Sequence, residues 1–460
     1  MAMRKFLVWF VLYYLRFWAK ITLRLHKPYI IGIAGSVGKS STRNALYAVL
    51  KDHFRTKVVS GNSETGVPLG ILGLKLPAYK TSDWLKVLWR SPRKINNLKD
   101  VQHLIVEMGI DDPHPPKNME YLLSIVRPDM AIDLNVTATH TMQFEILLTR
   151  NIKDSLTFLL KKIAEEDSKI ITKSGCKVAI YNADDENLVN VIDKVKRSLP
   201  AKLLTFGKGT KNSLRLTSYE ITHKKTKFTY IYKNEKGEKE IVLSFPGMIL
   251  PPAYQETFAS VILSSHELGL SYPQIKEALE NNFHLPPGRS SILEGVKNSM
   301  LIDSTYNSSK ESVLSFLEML KILKEKTGRQ VVFVMGDMRE LGSESESEHA
   351  EVARELIKVV DWLYCVGTNT QEFVIPIVKE ALEKKQGTIK KVEWYKNAVQ
   401  LGLHLKEELT ENSIILFKGS QNEIFLEEAV KFLLLNSNDT KYLARQDEYW
   451  TRLKQDYFSV

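Results

Sequence analysis

The segment Gly32–Thr42 reads GIAGSVGKSST, with a lysine and a serine directly behind a glycine. A strict phosphate loop is G-x-x-x-x-G-K-[ST]. Counting back five from Gly38 gives Ile33, so only the shorter G-x-x-G-K-S is met. The chemistry survives the shortening. An apolar run, Tyr29–Ala34, feeds a glycine turn, and a helix is predicted from about Ser41. Gly35, Ser36, Val37, Gly38 and Ser41 would then turn backbone N–H groups and a helix N-terminus toward a phosphate. Lys39 would supply charge and Ser40 a hydroxyl for Mg²⁺. The bland alternative is a glycine turn with a solvated lysine.

Further apolar runs end in polar residues: HLIVEMG, DMAIDLNV and KVAIYNAD in the first half, SMLIDSTYN, QVVFVMGD, WLYCVG and SIILFKGS in the second. Alternating with helical stretches, they predict parallel α/β architecture, whose ligand sites lie at the carboxyl ends of strands. Residues 228–245 alternate about an Asn-Glu-Lys-Gly turn and read as a hairpin. Residues 254–268 read as a helix. Pro286-Pro287-Gly288 marks a boundary. The expected division is a helical N-terminus over 1–27, a P-loop-type ATPase domain over 28–285, a Rossmann-like domain over 286–436 and a tail over 437–460.

A chain of 460 residues, 43% apolar and 26% charged, has the composition of a globular protein of two or three domains. The net charge of +10 favours anionic partners. The basic residues are dispersed and form no nucleic-acid recognition module. Cys176 and Cys365 stand far apart, so neither a disulfide framework nor a cysteine metal site is expected, and a reducing cytoplasm is the natural setting. The first residues, MAMRKFLVWFVLYYLRFWAKITLRLHK, hold an apolar run of only ten, Phe6 to Leu15, against roughly 20 for a spanning helix. Two readings stand: a helix resting on the anionic inner face of a membrane, or one packed on the body of the protein.

Taken in order, GKSS, GNSETGVPLGIL, VEMG, DLNVTATHTMQF, YNADD, PPGR, LIDSTYNSSKES, VMGDMRELG and LFKGSQN make the chain resemble the Mur ligase family over roughly residues 28 to 435. The resemblance implies ATP-driven amide formation through an acyl phosphate, with ATP and Mg²⁺ as cofactors. IDSTYNSS and GDMRELG point to the branch that adds a dipeptide, D-alanyl-D-alanine, to a UDP-muramyl peptide in peptidoglycan-precursor synthesis. It implies magnesium ligation by Glu107 and His140 beside Ser40, and nucleotide contacts from Arg289, Asp303, Tyr306 and Asn307. It implies substrate contacts from Asn62, Lys418 and Ser420. The alternatives are a Mur-type ligase with a different or lipid-linked acceptor, and a nucleotide-binding protein without catalysis.

Three departures from the family pattern stand out. Asp167 occupies the place of a lysine that is carbamylated in the family, so its carboxylate would serve the second metal directly; Lys169 is the competing candidate. The family's histidine and asparagine at the adenine side are missing, leaving Gln255, with Thr257 equally placed. Only about thirty residues precede the loop, where the family carries a UDP-binding domain.

Overall fold

The computed structural model describes every residue except Met1, 77–80, 150–151, 153, 235–236, 421–422 and 459–460, with the side chains of 2–6, 81–82 and 234 also left aside. The chain forms two compact units: Met1–Ser218, Thr229–Leu243 and Gln255–His284 make the first; Tyr219–Phe228, Ser244–Tyr254 and Leu285–Val460 make the second.

The larger sheet has nine strands: β1 (Tyr29–Ala34), β2 (Thr56–Val58), β3 (His103–Glu107), β4 (Met130–Asp133), β5 (Val178–Asn182), β6 (Lys202–Gly207), β7 (Leu214–Thr222), β8 (Lys225–Asn234) and β9 (Gly237–Pro246). Their order is β2-β3-β1-β4-β5-β6-β7-β8-β9. From β2 to β7 all pairings are parallel. Buried on both faces, β1 and β3 to β5 read as apolar runs for that reason. The hairpin strands are present as β8 and β9, while two of their four turn residues lie outside the described set.

Helices α1 (Ala2–His26), α2 (Lys39–Leu50), α3 (Gly66–Leu72), α4 (Thr81–Arg90), α5 (Met119–Ile125), α6 (Thr141–Phe144), α7 (Ser155–Asp167), α8 (Lys169–Thr172), α9 (Glu186–Ile192) and α10 (Tyr254–Glu267) surround this sheet in chain order. The first helix packs on its own unit. Leu12 and Ala19 join the core cluster that holds Ile30, Tyr121 and Ile125. Leu15 is fully buried beside Leu69, Leu72, Leu74 and Val87. Tyr14 donates to the Leu88 carbonyl at 3.0 Å and Arg16 to Ser124 Oγ at 3.0 Å.

In the second unit the sheet runs β10 (Ser291–Gly295), β11 (Ser299–Ser304), β15 (Ile414–Lys418), β12 (Val331–Gly336), β13 (Trp362–Val366), β14 (Lys391–Tyr395). All neighbours are parallel except β10 and β11. The tail, which carries no sequence signal, holds a helix, Glu448–Phe458, whose buried Lys454 meets Glu428 at 2.6 Å. Arg445 meets Glu427 at 2.6 Å and also donates to the Thr305 carbonyl at 2.8 Å.

The packing of α1 makes a stability prediction. Leu15→Ala should cost roughly 2 to 5 kcal/mol, the range for a buried leucine that leaves a cavity. Phe17→Ala, on the 56% exposed face of the same helix, should cost no more than about 0.5 kcal/mol. Denaturant titration of both variants checks this; equal losses would mean that α1 does not pack as described.

Candidate active site

In the first unit the site grows from β1, which lies between β3 and β4. Ile33 pairs with Glu107 and Ala34 with Asp133, so both carboxylates end level with the glycine loop. Gly35 and Gly38 take φ of 121° and 94°, a region costly for residues with a Cβ. A Cβ on Gly35 would also meet Asn135 N at 3.0 Å.

Asn135 clips the loop. Its carbonyl accepts from Ser36 N at 2.8 Å, its Oδ1 from Val37 N at 2.9 Å, and its Nδ2 donates to the Val37 carbonyl at 3.2 Å. This corrects one expectation: the N–H groups of Ser36 and Val37 brace the loop and are not offered to a phosphate. The first turn of α2, which begins at Lys39, two residues earlier than predicted, leaves N–H groups without intrahelical acceptors at the phosphate position. The Lys39 ammonium is held over the loop by the carbonyls of Gly35 and Ser36.

Ser40 Oγ donates to Glu107 Oε2 at 3.1 Å, and Arg43 meets Glu107 Oε1 at 2.7 Å. His140 begins α6 with φ 74°, its Nδ1 3.9 Å from Asp111 Oδ1. Asp167, at the end of α7, is 2% exposed; burial pushes its carboxyl up to about 7, against the pull of Lys39 and then His140. The charges of Lys39 and His140 thus both act on Asp167. Lys169, the competing candidate, is paired with Glu166 at 2.6 Å.

Asp133 and Asp185 escaped the sequence reading. Asp133 is fully buried, and burial followed by the charges of Asp167 and Asp185 raises its pKa far above the usual range. Its signal was available: the last residue of the run MAID, level with the glycine turn. Asp133, Asp167 and Asp185 form a buried group of carboxyls near Lys39, and Glu107 lies beside Ser40 and Arg43. Together with the Ser40 and Glu107 oxygens, this oxygen-rich set fits a hard divalent cation such as Mg²⁺.

Gln255 is buried and its amide nitrogen donates to the carbonyls of Ser218 at 3.2 Å and Thr229 at 3.5 Å. That nitrogen serves the fold and is not presented to a ligand, which corrects the reading of Gln255. Thr257 is the residue near the loop: a Cβ on Gly38 would lie 3.9 Å from its Oγ1. Glu256, overlooked in the sequence, faces Asn182, Asp184 and Asp185, and burial, then the two aspartates, push it up to about 7. Asn62 is exposed beside the carboxyl end of β3, its carbonyl accepting from Gly109 N at 3.0 Å.

The second unit holds its own cluster at the carboxyl ends of β11 and β15, where Lys418 pairs with Ser304. Lys418 is 2% exposed and donates to the Asn307 carbonyl at 3.0 Å. Burial, then Arg289, brings its pKa down to about 7. Arg289 stacks on Tyr306 at 4.5 Å. Asp303 accepts from Thr305 N at 3.1 Å and Thr305 Oγ1 at 2.7 Å, and burial raises it to about 6. Ser420 Oγ accepts from Arg339 N at 3.0 Å.

Residues 33–250 match the Mur ligase middle domain and residues 288–421 the Mur ligase glutamate ligase domain. Among characterised proteins, the chain is 24% identical over 396 residues to the UDP-N-acetylmuramoyl-tripeptide–D-alanyl-D-alanine ligase of Rickettsia prowazekii, spanning 86% of this chain and 76% of that one. The enzyme of the same name from Escherichia coli is 26% identical over 414 residues, with 88% and 77% coverage. The MurF ligase of Thermotoga maritima, solved in complex with ADP, superposes with a TM-score of 0.69 at 21% identity over 92% of this chain and 83% of that one. That last likeness is one of fold.

Lys418 gives a pH prediction. The unfolded chain keeps this proton up to about 10.5, while the folded protein releases it near 7. Above pH 7 the unfolded state therefore binds more protons, and stability gains from this residue as pH rises toward 10.5. From pH 7 to 9 the melting temperature of the parent should rise relative to that of Lys418→Met. Parallel profiles at matched ionic strength would refute the assignment.

Proposed function

Since this chain belongs to the Mur ligase family, we propose that it is an ATP-dependent ligase of peptidoglycan-precursor synthesis, joining D-alanyl-D-alanine to the terminal carboxylate of a UDP-N-acetylmuramoyl tripeptide. The observation that supports the reading is the glycine loop at the carboxyl end of β1, where Ser40 meets Glu107 at 3.1 Å and the charges of Lys39 and His140 act on the buried Asp167.

In this proposal the N–H groups of Gly38 to Ser41 and the Lys39 ammonium hold the triphosphate and oppose charge as it develops on the γ-phosphoryl group. The substrate carboxylate takes that group and ADP leaves. The amine of the dipeptide then attacks the acyl phosphate, releasing inorganic phosphate and a proton as the amide forms. Magnesium, held by Ser40 and Glu107 with His140 and Asp167 serving a second ion, would neutralise the phosphoryl oxygens. Asp133 and Asp185 supply further buried carboxyl oxygens in that region, and Asn135 keeps the loop rigid. Thr257 takes the adenine-side position over Gln255. Lys418 and Ser420 in the second unit are assigned to a substrate carboxylate or phosphate, and Asn62 in the first unit to a separate substrate contact. The nucleotide roles of Arg289, Asp303, Tyr306 and Asn307 belong to the same reading, as does a cytoplasmic site of action; the compact units divide differently from the expected 285/286 boundary, with 219–228 and 244–254 counted in the second. Contact of α1 with an anionic membrane completes the reading.

The test is phosphate release with ATP, Mg²⁺ and UDP-muramyl tripeptide, with and without D-alanyl-D-alanine. Release should require both substrates, and Lys39→Ala should lower it on the order of a hundredfold or more. Asp167→Ala should raise the Mg²⁺ concentration for half-maximal ADP-induced thermal stabilisation about tenfold. Release with another acceptor would redirect the substrate assignment. No release in any combination would sink the ligase, and an unaltered Asp167→Ala would remove that residue from the metal site.

A further inference from the structure

The face of α1 turned away from the protein is apolar and aromatic. Leu7, Phe10, Tyr13 and Phe17 are 60%, 51%, 49% and 56% exposed. Beside it, α4 packs Val87, with Trp84 partly buried, next to Leu15 and leaves Leu85 and Trp89 exposed at 64% and 63%. Arg93 stacks on the Trp89 ring at 3.8 Å. No described helix is long and apolar enough to cross a membrane. Exposed aromatics with flanking cations are the composition of a helix lying in a bilayer surface.

At the carboxyl end of the same helix lies an open cleft of about 650 Å³, lined by Lys20, Arg24, Lys27 and Arg127 over the apolar floor of Leu23 and Ile125. It contains four cations and no carboxylate. None of the four forms an ion pair among the described residues. The nearby Asp129 is already engaged, accepting from Ile30 N at 3.0 Å and meeting Lys177 at 3.0 Å. No acidic residue occurs before Asp52. The cleft is not the nucleotide site: Ile30 is the second residue of β1, whereas the glycine loop follows Ala34, about 13 Å further along the strand.

We propose that this cleft binds the phosphate of an anionic membrane lipid while the exposed row of α1 rests in the surrounding bilayer surface. The chemistry recognised is a phosphate ester with an apolar tail: cations for the first, Phe10 and Phe17 for the second. The inference deepens the membrane-contact reading and rests on it, but is independent of the ligase reading. It reconciles the two faces of α1, since one side is buried in the protein and the other supplies the lipid contact.

The test is co-sedimentation of the full chain with vesicles of phosphatidylcholine alone or mixed with phosphatidylglycerol. Binding should require phosphatidylglycerol. The combined variant Lys20→Gln, Arg24→Gln, Lys27→Gln should weaken it on the order of a hundredfold, at roughly fivefold per surface charge. The exposed cations Lys379, Lys385 and Lys406, changed together to Gln, provide the charge-matched control and should leave binding unaltered. Phe10→Ser with Phe17→Ser should also release the protein, with its melting temperature retained. Equal losses in the cleft variant and the control would overturn the cleft and leave only general electrostatics. Full binding by the cleft variant would overturn the cleft while sparing membrane contact. No binding to anionic vesicles would overturn both. Release by inorganic phosphate at constant ionic strength would identify a free phosphate as the ligand and overturn the lipid.

Discussion

The register of β1 against its two neighbours fixes the chemistry of the first unit. Ile33 opposite Glu107 and Ala34 opposite Asp133 put a carboxylate on each side of the strand that launches the glycine loop. A slip of one residue would turn each carboxylate to the other face of the sheet. Because the strands are parallel and covered, these groups are desolvated as well as close, and Asp133 and Asp167 resist ionisation for that reason. Ionised together, they would exceed the charge of Lys39. A buried site with surplus negative charge is costly by itself, and binding a cation offsets that cost. A cation at this position would therefore favour the ionised forms that burial disfavours.

The second unit uses the opposite sign. Lys418 is held at the end of the central strand β15 with no carboxylate at hydrogen-bond distance among the described residues, and burial lowers its affinity for a proton. An arriving carboxylate or phosphate would restore it. Around it, the segment after β11 is braced from behind: Arg445 holds the Thr305 carbonyl, and Glu427 neutralises Arg445 in a fully buried pair. The tail thus positions the Tyr306 turn, a role that a polar and aromatic stretch without periodicity does not announce.

What the sequence reveals follows from how local each cause is. Buried parallel strands are apolar along their whole length, so β1, β3, β4 and β5 and their carboxyl ends can be read directly. The phosphate loop follows from glycine chemistry over a few residues. Asp167 is reached only through the family resemblance, which aligns it with the family's lysine; the residues around it carry no local signal of that role. Asn135 uses its polar atoms on Ser36 and Val37, nearly a hundred residues away, and nothing local shows that those N–H groups are taken. Gln255 is the same case in reverse. Its amide looks available in sequence and is spent on two strands that fold beside it.

Helix α1 is where hydrophobic pattern alone fails most clearly. A helix that is apolar nearly all round has no moment to say which side is buried. Leu12, Leu15, Ala19 and Thr22 are inside because apolar positions of α3, α4 and α5 meet them, while Phe10 and Phe17 are the same kind of residue with nothing opposite. Membrane contact and packing on the protein were therefore never exclusive alternatives. A side chain as large as phenylalanine gains from leaving water wherever it goes, so two covered faces need two different partners. The protein supplies one of them, and the absence of any acidic residue before Asp52 leaves the other side electrostatically open to an anionic surface.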